Sequence, residues 1–471
     1  MASPGLYRLF SVPGARFRNR RMLFHENLSD AGLSDRLSQF ASTNRLLLNA
    51  LLRQHVRLLE GPLVAMLVLP ECRKFLDFSI KRKYIKRCME RMQDELDRES
   101  VDDPSNDDDD SIQTHLSVCV QRDTIFEDTL EAFSNTTPKK LLQLDLMVAF
   151  DGEEGIDEGG LTREWYGLLT REIFRPHYEM FAPTGDGVTF QINPASARND
   201  SHLTFFHFVG QLIGRAVVDG QVLDVHFTRS FYKHILGQPV SFRDFKVVDA
   251  NLYKNLTMLL KHDLEDLGLE LTFSTEAGDQ GGEATELLPG GSSIPVTDAN
   301  KAEYVRLLCH HKMTSSVRAQ IDSFLKGFYE LVPPELISIF NPQELELLLA
   351  GMPDIDVDDM EAHCTYTNYQ RSDSTIQHFW STIRRFSREE KALLVQFVTG
   401  SAKVPLDGFA ALCGSEGVQK MSIVKAFDTM LLPTAHTCFN QLDLPAYDNE
   451  NDLREKLLVA LRHGSEGFGF A

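Results

Sequence analysis

The stretch Leu432-Pro433-Thr434-Ala435-His436-Thr437-Cys438-Phe439-Asn440 sets one thiol two residues after one imidazole, in a segment poorly suited to a helix. Pro433 cannot sit in a helix interior, and the β-branched Thr434 and Thr437 favour extended or turn backbone. In extended backbone, residues i and i+2 share a face. The spacing therefore predicts that His436 and Cys438 point the same way, and an imidazolium near a thiol lowers its pKa. A half-buried cysteine beside a surface histidine satisfies the same spacing, and on spacing alone it holds the larger share.

Downstream comes Asp443-Leu444-Pro445-Ala446-Tyr447, and the chain ends Glu466-Gly467-Phe468-Gly469-Phe470-Ala471. The loop and its continuation resemble the active-site loop of the HECT ubiquitin ligases, and the ending resembles that family's short C-terminal tail. Within the family the similarity is greatest to the large UBA- and WWE-bearing members and the fungal Tom-type members, over residues 40–471. The resemblance implies a bilobal α+β fold. A helical extension with an acidic linker would occupy 1–110, a larger, mostly helical N-lobe 111–352, and a smaller α/β C-lobe 353–471. It implies a ubiquitin–protein ligase that accepts ubiquitin as a thioester on Cys438 and passes it to substrate lysines. Its partners would be a ubiquitin-conjugating enzyme, ubiquitin and protein substrates, with no cofactor and a cytoplasmic or nuclear setting. Phe468, fourth from the end, falls where the family places a phenylalanine that helps transfer to lysine.

Composition bounds the alternatives. A chain of 471 residues accommodates about two to four domains. Its 42% hydrophobic and 25% charged residues are those of a soluble globular protein. A formal net charge of −20 argues against a general grip on nucleic acid or adhesion to an anionic membrane, both of which need a basic surface. The seven cysteines are odd in number and never spaced Cys-x-x-Cys, so neither a disulfide framework nor a zinc site is expected. A reducing compartment fits. The run Leu63 to Pro70 is far too short to span a membrane. The acid-free first 25 residues carry Arg8, Arg16, Arg18, Arg20 and Arg21 and faintly resemble a transit peptide. Pro4, Gly5, Pro13 and Gly14 interrupt any amphipathic helix there, so a basic, poorly ordered leader or the cut edge of a longer protein is preferred.

Residues 40–99 read as helices, with Leu46, Leu47, Leu51, Leu52, Leu58 and Leu59 as an apolar stripe and a basic amphipathic helix from Phe78 to about Arg98. The aspartates around 102–110 read as a linker. Leu144–Phe150 reads as a strand. The glycine-rich turn 152–160 before the helix at Leu161 suggests a phosphate site, but its four carboxylates and the adjacent Asp151 would repel phosphate, so Arg163 and Glu164 are read as structural. His202 and His207 fall on different faces of a helix running to Val218, which makes a poor metal pair.

Residues 225–310 form a candidate subdomain, with a helix over Asn251–Leu260 and an alternating, strand-like Leu267–Phe273. The bland account is a core helix on a hairpin. The resemblance makes it the platform for the conjugating enzyme, with Leu252, Asn255, Leu256, Leu269, Leu271 and Tyr304 lining the groove. One or two long helices follow over Asn300–Leu331, and a helix from Pro342 stops at Ala350-Gly351-Met352-Pro353-Asp354, a plausible hinge where HECT lobes join. Beyond it, Ser387-x-x-Glu390 is a capping box, Gly408–Leu412 and Val418–Ile423 look like strands, and Leu453–Leu461 is a closing helix.

Two other functional classes compete. A papain-like protease needs a histidine well downstream of its nucleophile, and only His463 follows Cys438. A non-enzymatic scaffold would use the helical N-terminal third. For the ligase, thiolate-for-thiolate exchange needs little acid help, whereas lysine attack needs a base, for which His436, Asp443 and Asp448 are all within loop reach.

Overall fold

The structure is a computed structural model. It describes residues 31–61, 63, 65–101, 115–153, 160–185, 189–223, 225–275, 284–351, 355–399, 402, 404, 408–414, 417–426 and 431–463. Phe468, the 102–114 linker, most of the 152–160 turn and Met352 to Asp354 of the hinge lie outside the described residues. Two compact units divide the chain, 1–90 and 91–471. Helices of six or more residues are numbered below.

In the first unit, α1 (Ala31–Thr43) and α2 (Arg45–Gln54) precede short helical turns and the start of α3 (Phe78–Val101). The expected leucine stripe is only half right. Leu52 and Leu59 are buried and Leu58 half-buried, whereas Leu46, Leu47 and Leu51 face outward and Leu48, outside the expected stripe, is buried. The inward face of α2 is set by Asn49, whose amide donates to the Phe75 carbonyl at 2.8 Å and whose oxygen accepts from the Asp77 N–H at 2.8 Å. That pairing orients the helix, and Leu48 and Leu52 go in beside it.

The second unit begins with β1 (His115–Val120) and β2 (Asp145–Phe150), paired in parallel, with α4 (Ile125–Ser134) and α5 (Pro138–Gln143) in the crossover. Next come α6 (Gly160–Ile173) and the small antiparallel pair β3 (Phe181–Pro183) and β4 (Phe190–Ile192). The centre of this lobe is the pair α7 (His202–Asp219) and α11 (Arg318–Leu331). Glycines let the two backbones touch. A Cβ at Gly210 would stand 2.1 Å from the Phe324 carbonyl oxygen, and one at Gly327 2.0 Å from that of His207. Phe126, Phe133, Trp165 and Phe208 pack edge-on or tilted beside them. The histidines tempting as ligands are tied locally: His202 to the Asn199 carbonyl and His207 to Glu330.

The subdomain between them carries α8 (Arg229–Ile235), a short helical turn Phe245–Val248, α9 (Ala250–Lys261) and α10 (Lys301–Met313). Asp249 caps α9 through the Leu252 N–H at 2.8 Å. The strand expected at Leu267–Phe273 does not form. A helical turn over Leu264–Leu267 ends at Gly268 with φ 62°, and only isolated bridges join Thr272 to Pro295 and Ser274 to Glu286.

A capping box of Asn341 and Glu344 starts α12 (Pro342–Ala350), and Gly351 ends it with φ 79°. The C-terminal lobe follows: α13 (Val357–Ala362), β5 (Thr365–Thr367), α14 (Ser374–Arg384) and α15 (Arg388–Thr399). Ser387 and Glu390 make the expected capping box. Gly408–Ala411 is a 3-10 turn rather than the expected strand, because the Asp359 carboxylate accepts from the Phe409 N–H at 2.8 Å and winds the chain. A two-residue hairpin, β6 (Cys413–Gly414) with β7 (Gly417–Val418), precedes β8 (Ser422–Ala426), β9 (Thr434–His436) and β10 (Gln441–Pro445). The sheet order is β5-β8-β10-β9, parallel except for the β10–β9 pair. Helix α16 (Glu450–His463) closes the lobe. The whole is a bilobal α+β architecture.

Candidate functional site

Cys438 lies in the middle of a single 3-10 turn, Thr437–Phe439, joining edge strand β9 to β10. Asn440 makes this tight reversal possible. It takes the left-handed conformation, φ 46° and ψ 40°, which asparagine tolerates better than most side chains. It is also fully buried, its side-chain amide donating to the Gln419 carbonyl at 2.7 Å and its backbone carbonyl accepting from the Ser422 N–H at 2.9 Å. The turn is thereby bolted to the start of β8.

The geometry corrects one expectation. His436 ends a strand and Cys438 belongs to a helical turn, so the alternation of an extended chain does not relate them. His436 is engaged elsewhere. Its Nε2 is 3.0 Å from the Asp443 carboxylate, whose other oxygen accepts from Gln441 at 2.6 Å. In the β9–β10 register Gln441 stands opposite His436 and Asp443 opposite Thr434, so the pair is a diagonal one. The imidazole is 48% exposed and the carboxylate 24%, so solvent and a second macromolecule can reach both. Asp448, the other candidate base, is exposed just beyond β10.

Two elements flank the turn. Helix α15 packs on it from within the lobe, and the Phe245–Val248 turn lies against it from the N-terminal lobe. Phe439, Leu431 and Val418 are exposed apolar side chains of the same lobe. Burial pushes the thiols of Cys309 and Cys364 up to about 12, which makes these two poor nucleophiles, whereas Cys119 is exposed.

The residues expected to line the platform divide into two groups. Asn255 and Leu269 are exposed, and Leu252 and Leu271 are half-buried. Leu256 and Tyr304, expected to line the groove, are instead 4% and 6% exposed and sit in the subdomain core with Phe245, Leu259 and Phe273. They hold the platform together and offer little surface. The sequence reading missed Met258, which is 45% exposed and three residues after Asn255, on the same helix face. Helical periodicity from Asn255 would have found it.

Glu164 pairs with Arg122 at 2.7 Å, and Arg122 also holds Glu153 and lies over the Phe150 ring. These are surface ion pairs, and the side chain of Arg163 lies outside the described residues. Among the described residues no group of three or more His, Cys, Asp or Glu could hold a metal ion. No helix among them is long and apolar enough to cross a membrane.

Comparison with known proteins addresses the whole arrangement. The family described as HECT-domain (ubiquitin-transferase) matches residues 167–471. The chain belongs to the HECT family. The E3 ubiquitin-protein ligase HUWE1 of Mus musculus is 45% identical over 437 residues, covering 92% of this chain and 10% of that protein. UPL1 of Arabidopsis thaliana is 45% identical over 443 residues, covering 92% of this chain and 12% of its own length. TOM1 of Saccharomyces cerevisiae is 42% identical over 435 residues, with 92% and 13% covered. This HECT chain thus spans about a tenth of the length of the curated relatives it matches.

Proposed function

We propose that this HECT chain is a ubiquitin–protein ligase that takes ubiquitin from a conjugating enzyme as a thioester on Cys438 and hands it to substrate lysines. The observation that carries the reading is the Cys438 turn, built on an exposed sheet edge beside the His436–Asp443 pair, in a chain that matches the HECT domain. The lobes would run 111–352 and 353–471, the extension 1–110, and the conjugating enzyme would dock at 225–310, with Leu252, Asn255, Leu269 and Leu271 in contact and Met258 beside them. Phe468 would assist the transfer to lysine. A cytoplasmic or nuclear setting fits a catalytic thiol that must stay reduced.

The chemistry is two acyl transfers. In the first, the Cys438 thiolate attacks the thioester carbonyl carbon, a new C–S bond forms, and the conjugating enzyme's thiolate leaves. The leaving group departs as an anion and needs no proton. In the second, a lysine amine attacks, the C–S bond to Cys438 breaks, and the nitrogen must shed a proton. His436, held by Asp443, is an exposed imidazole placed two residues from the thioester and is the base this reading assigns.

The test is incubation with activating enzyme, conjugating enzyme, ATP and ubiquitin. A ubiquitin adduct that reducing agent cleaves, and that Cys438→Ala abolishes, is the expected result. An adduct that persists in Cys438→Ala would assign the nucleophile elsewhere, and hydrolysis of ubiquitin conjugates would favour a protease.

A further inference from the structure

The two lobes meet through a buried polar cluster centred on Glu346 of α12. One oxygen of its carboxylate is 2.8 Å from His226 Nδ1 and accepts from the Ala402 backbone N–H, also at 2.8 Å. The other accepts from Gln396 Nε2 at 2.8 Å, and the same amide lies 3.2 Å from the Gln343 carbonyl. His226 belongs to the N-terminal lobe, whereas Gln396 and Ala402 belong to the C-terminal lobe. Glu346 and His226 side chains are each 7% exposed, and Gln396 and Ala402 1%. Buried Arg229 interacts electrostatically with both Asp244 and Glu346.

A buried carboxylate is tolerated only when its oxygens are supplied with donors. Here Gln396 and Ala402 both donate from the opposite lobe, so this part of the cluster forms only while the lobes are docked. The contact is also built to part. Gln396 Oε1 is buried with no hydrogen-bond partner among the described residues, a cost that water would relieve on separation. Gln396 sits on α15, the helix that packs on the Cys438 turn, and in the docked arrangement that turn lies against Phe245–Val248. The Phe245–Val248 turn leads directly into α9, the helix of the platform.

We propose that Glu346 is a positioning residue: it latches the C-terminal lobe through Gln396 and Ala402 so that the Cys438 turn is presented at the base of the platform, favouring receipt of ubiquitin over its discharge. The inference rests on the ligase reading for its catalytic half, and its structural half is tested without ubiquitin.

Two variants break the latch from opposite sides. Glu346→Gln turns one acceptor oxygen into a donor that faces donors. Gln396→Leu removes the cross-lobe donor and the unsatisfied oxygen together, with an apolar side chain to fill the space. Deuterium uptake of the peptide bearing Ala402 reads the latch directly, and single-turnover loading and discharge to free lysine are followed in parallel. Both variants are expected to raise uptake at that peptide. They should slow loading roughly tenfold, the size of one lost charge-assisted hydrogen bond, and leave discharge of the preformed thioester within about twofold. Unchanged uptake in both variants overturns the latch, even if the wild-type chain forms no thioester. Raised uptake with loading and discharge falling equally overturns the assignment to the receiving step.

Discussion

His436 reaches diagonally across the β9–β10 pair to Asp443, Nε2 to carboxylate at 3.0 Å, so the imidazole beside the cysteine turn is oriented by a residue that follows the cysteine in sequence. Such a carboxylate fixes the ring and stabilises the imidazolium formed when the ring takes a proton. Asp443→Asn should lower discharge of the Cys438 thioester to lysine by about tenfold or more, with loading much less affected. The pair is solvent-exposed and worth roughly 0–1 kcal/mol to folding, so the melting temperature should hardly move. Discharge at the wild-type rate would remove the pair from the reaction.

The burial of Leu256 and the exposure of Leu269 make a paired test of the platform. Leu256→Ala empties a core position and should cost about 2–5 kcal/mol, read as a large fall in the thermal melt. Leu269→Asp changes a side chain that is 47% exposed, so the melt should stay put. If Leu269 contacts the conjugating enzyme, ubiquitin loading will drop at limiting conjugating enzyme and recover at high concentration. Full loading at all concentrations would take Leu269 out of the contact.

Gly351 ends α12 with φ 79° and ψ 178°, a region all but reserved for glycine. An added Cβ would also stand 2.7 Å from Val222 Cγ1. Gly351→Ala should destabilise by roughly 2 kcal/mol, lowering Tm by about 4–8 °C. Proline cannot reach this φ at all, so stiffening the hinge by Gly351→Pro would unfold the helix end before it tested lobe motion. An alanine variant that melts like the wild type would contradict the backbone conformation.

Burial lowers the pKa of His234 below its ordinary 6.5; its Nε2 meets the Met313 carbonyl at 3.1 Å. His311, buried beside Lys312, shifts the same way. An imidazole with a depressed folded pKa binds its proton more readily in the unfolded chain. Its stabilising effect is therefore present above 6.5 and is lost as pH falls through the window beneath it. Tm should be lower at about pH 5.5 than at about pH 7.5, and His234→Gln should narrow the gap. An equal gap in the variant would place the acid sensitivity elsewhere.

Much of the fold can be read from local pattern. The α12 and α15 capping boxes, the helices of the α7–α11 pair and the strand before Gly152 all follow from periodicity and punctuation within a dozen residues. The cysteine loop follows from its motif. What escapes is whatever depends on partners distant in sequence. Leu256 and Leu269 are both leucines of one subdomain, and only Phe273 and Tyr304 packing around α9 decides which is covered. Gly408–Ala411 has apolar residues suited to a strand, but Asp359 winds it into a turn from 50 residues away. The pairing of His436 with Asp443 needs the β9–β10 register, and the Glu346 cluster joins four segments that share no local signal. Glu346 itself falls within the apolar run Leu345 to Leu349, where a glutamate reads as an ordinary surface residue.

The sheet order β5-β8-β10-β9 carries a consequence for how this site comes into being. The strand that seats the cysteine turn, β10, is made after the cysteine, and it must insert between β8 and β9 before Asn440 can anchor the reversal. A nascent chain that has just displayed Cys438 to the cell holds an ordinary thiol on an unformed loop. The turn takes its described shape only when residues 441–445 lock into the middle of the sheet, where the Arg388–Thr399 helix packs on them. On the ligase reading, loading of Cys438 is thus tied to completion of the lobe. Arrested nascent chains ending before and after β10 would be expected to differ in loading, while labelling equally with a small alkylating reagent.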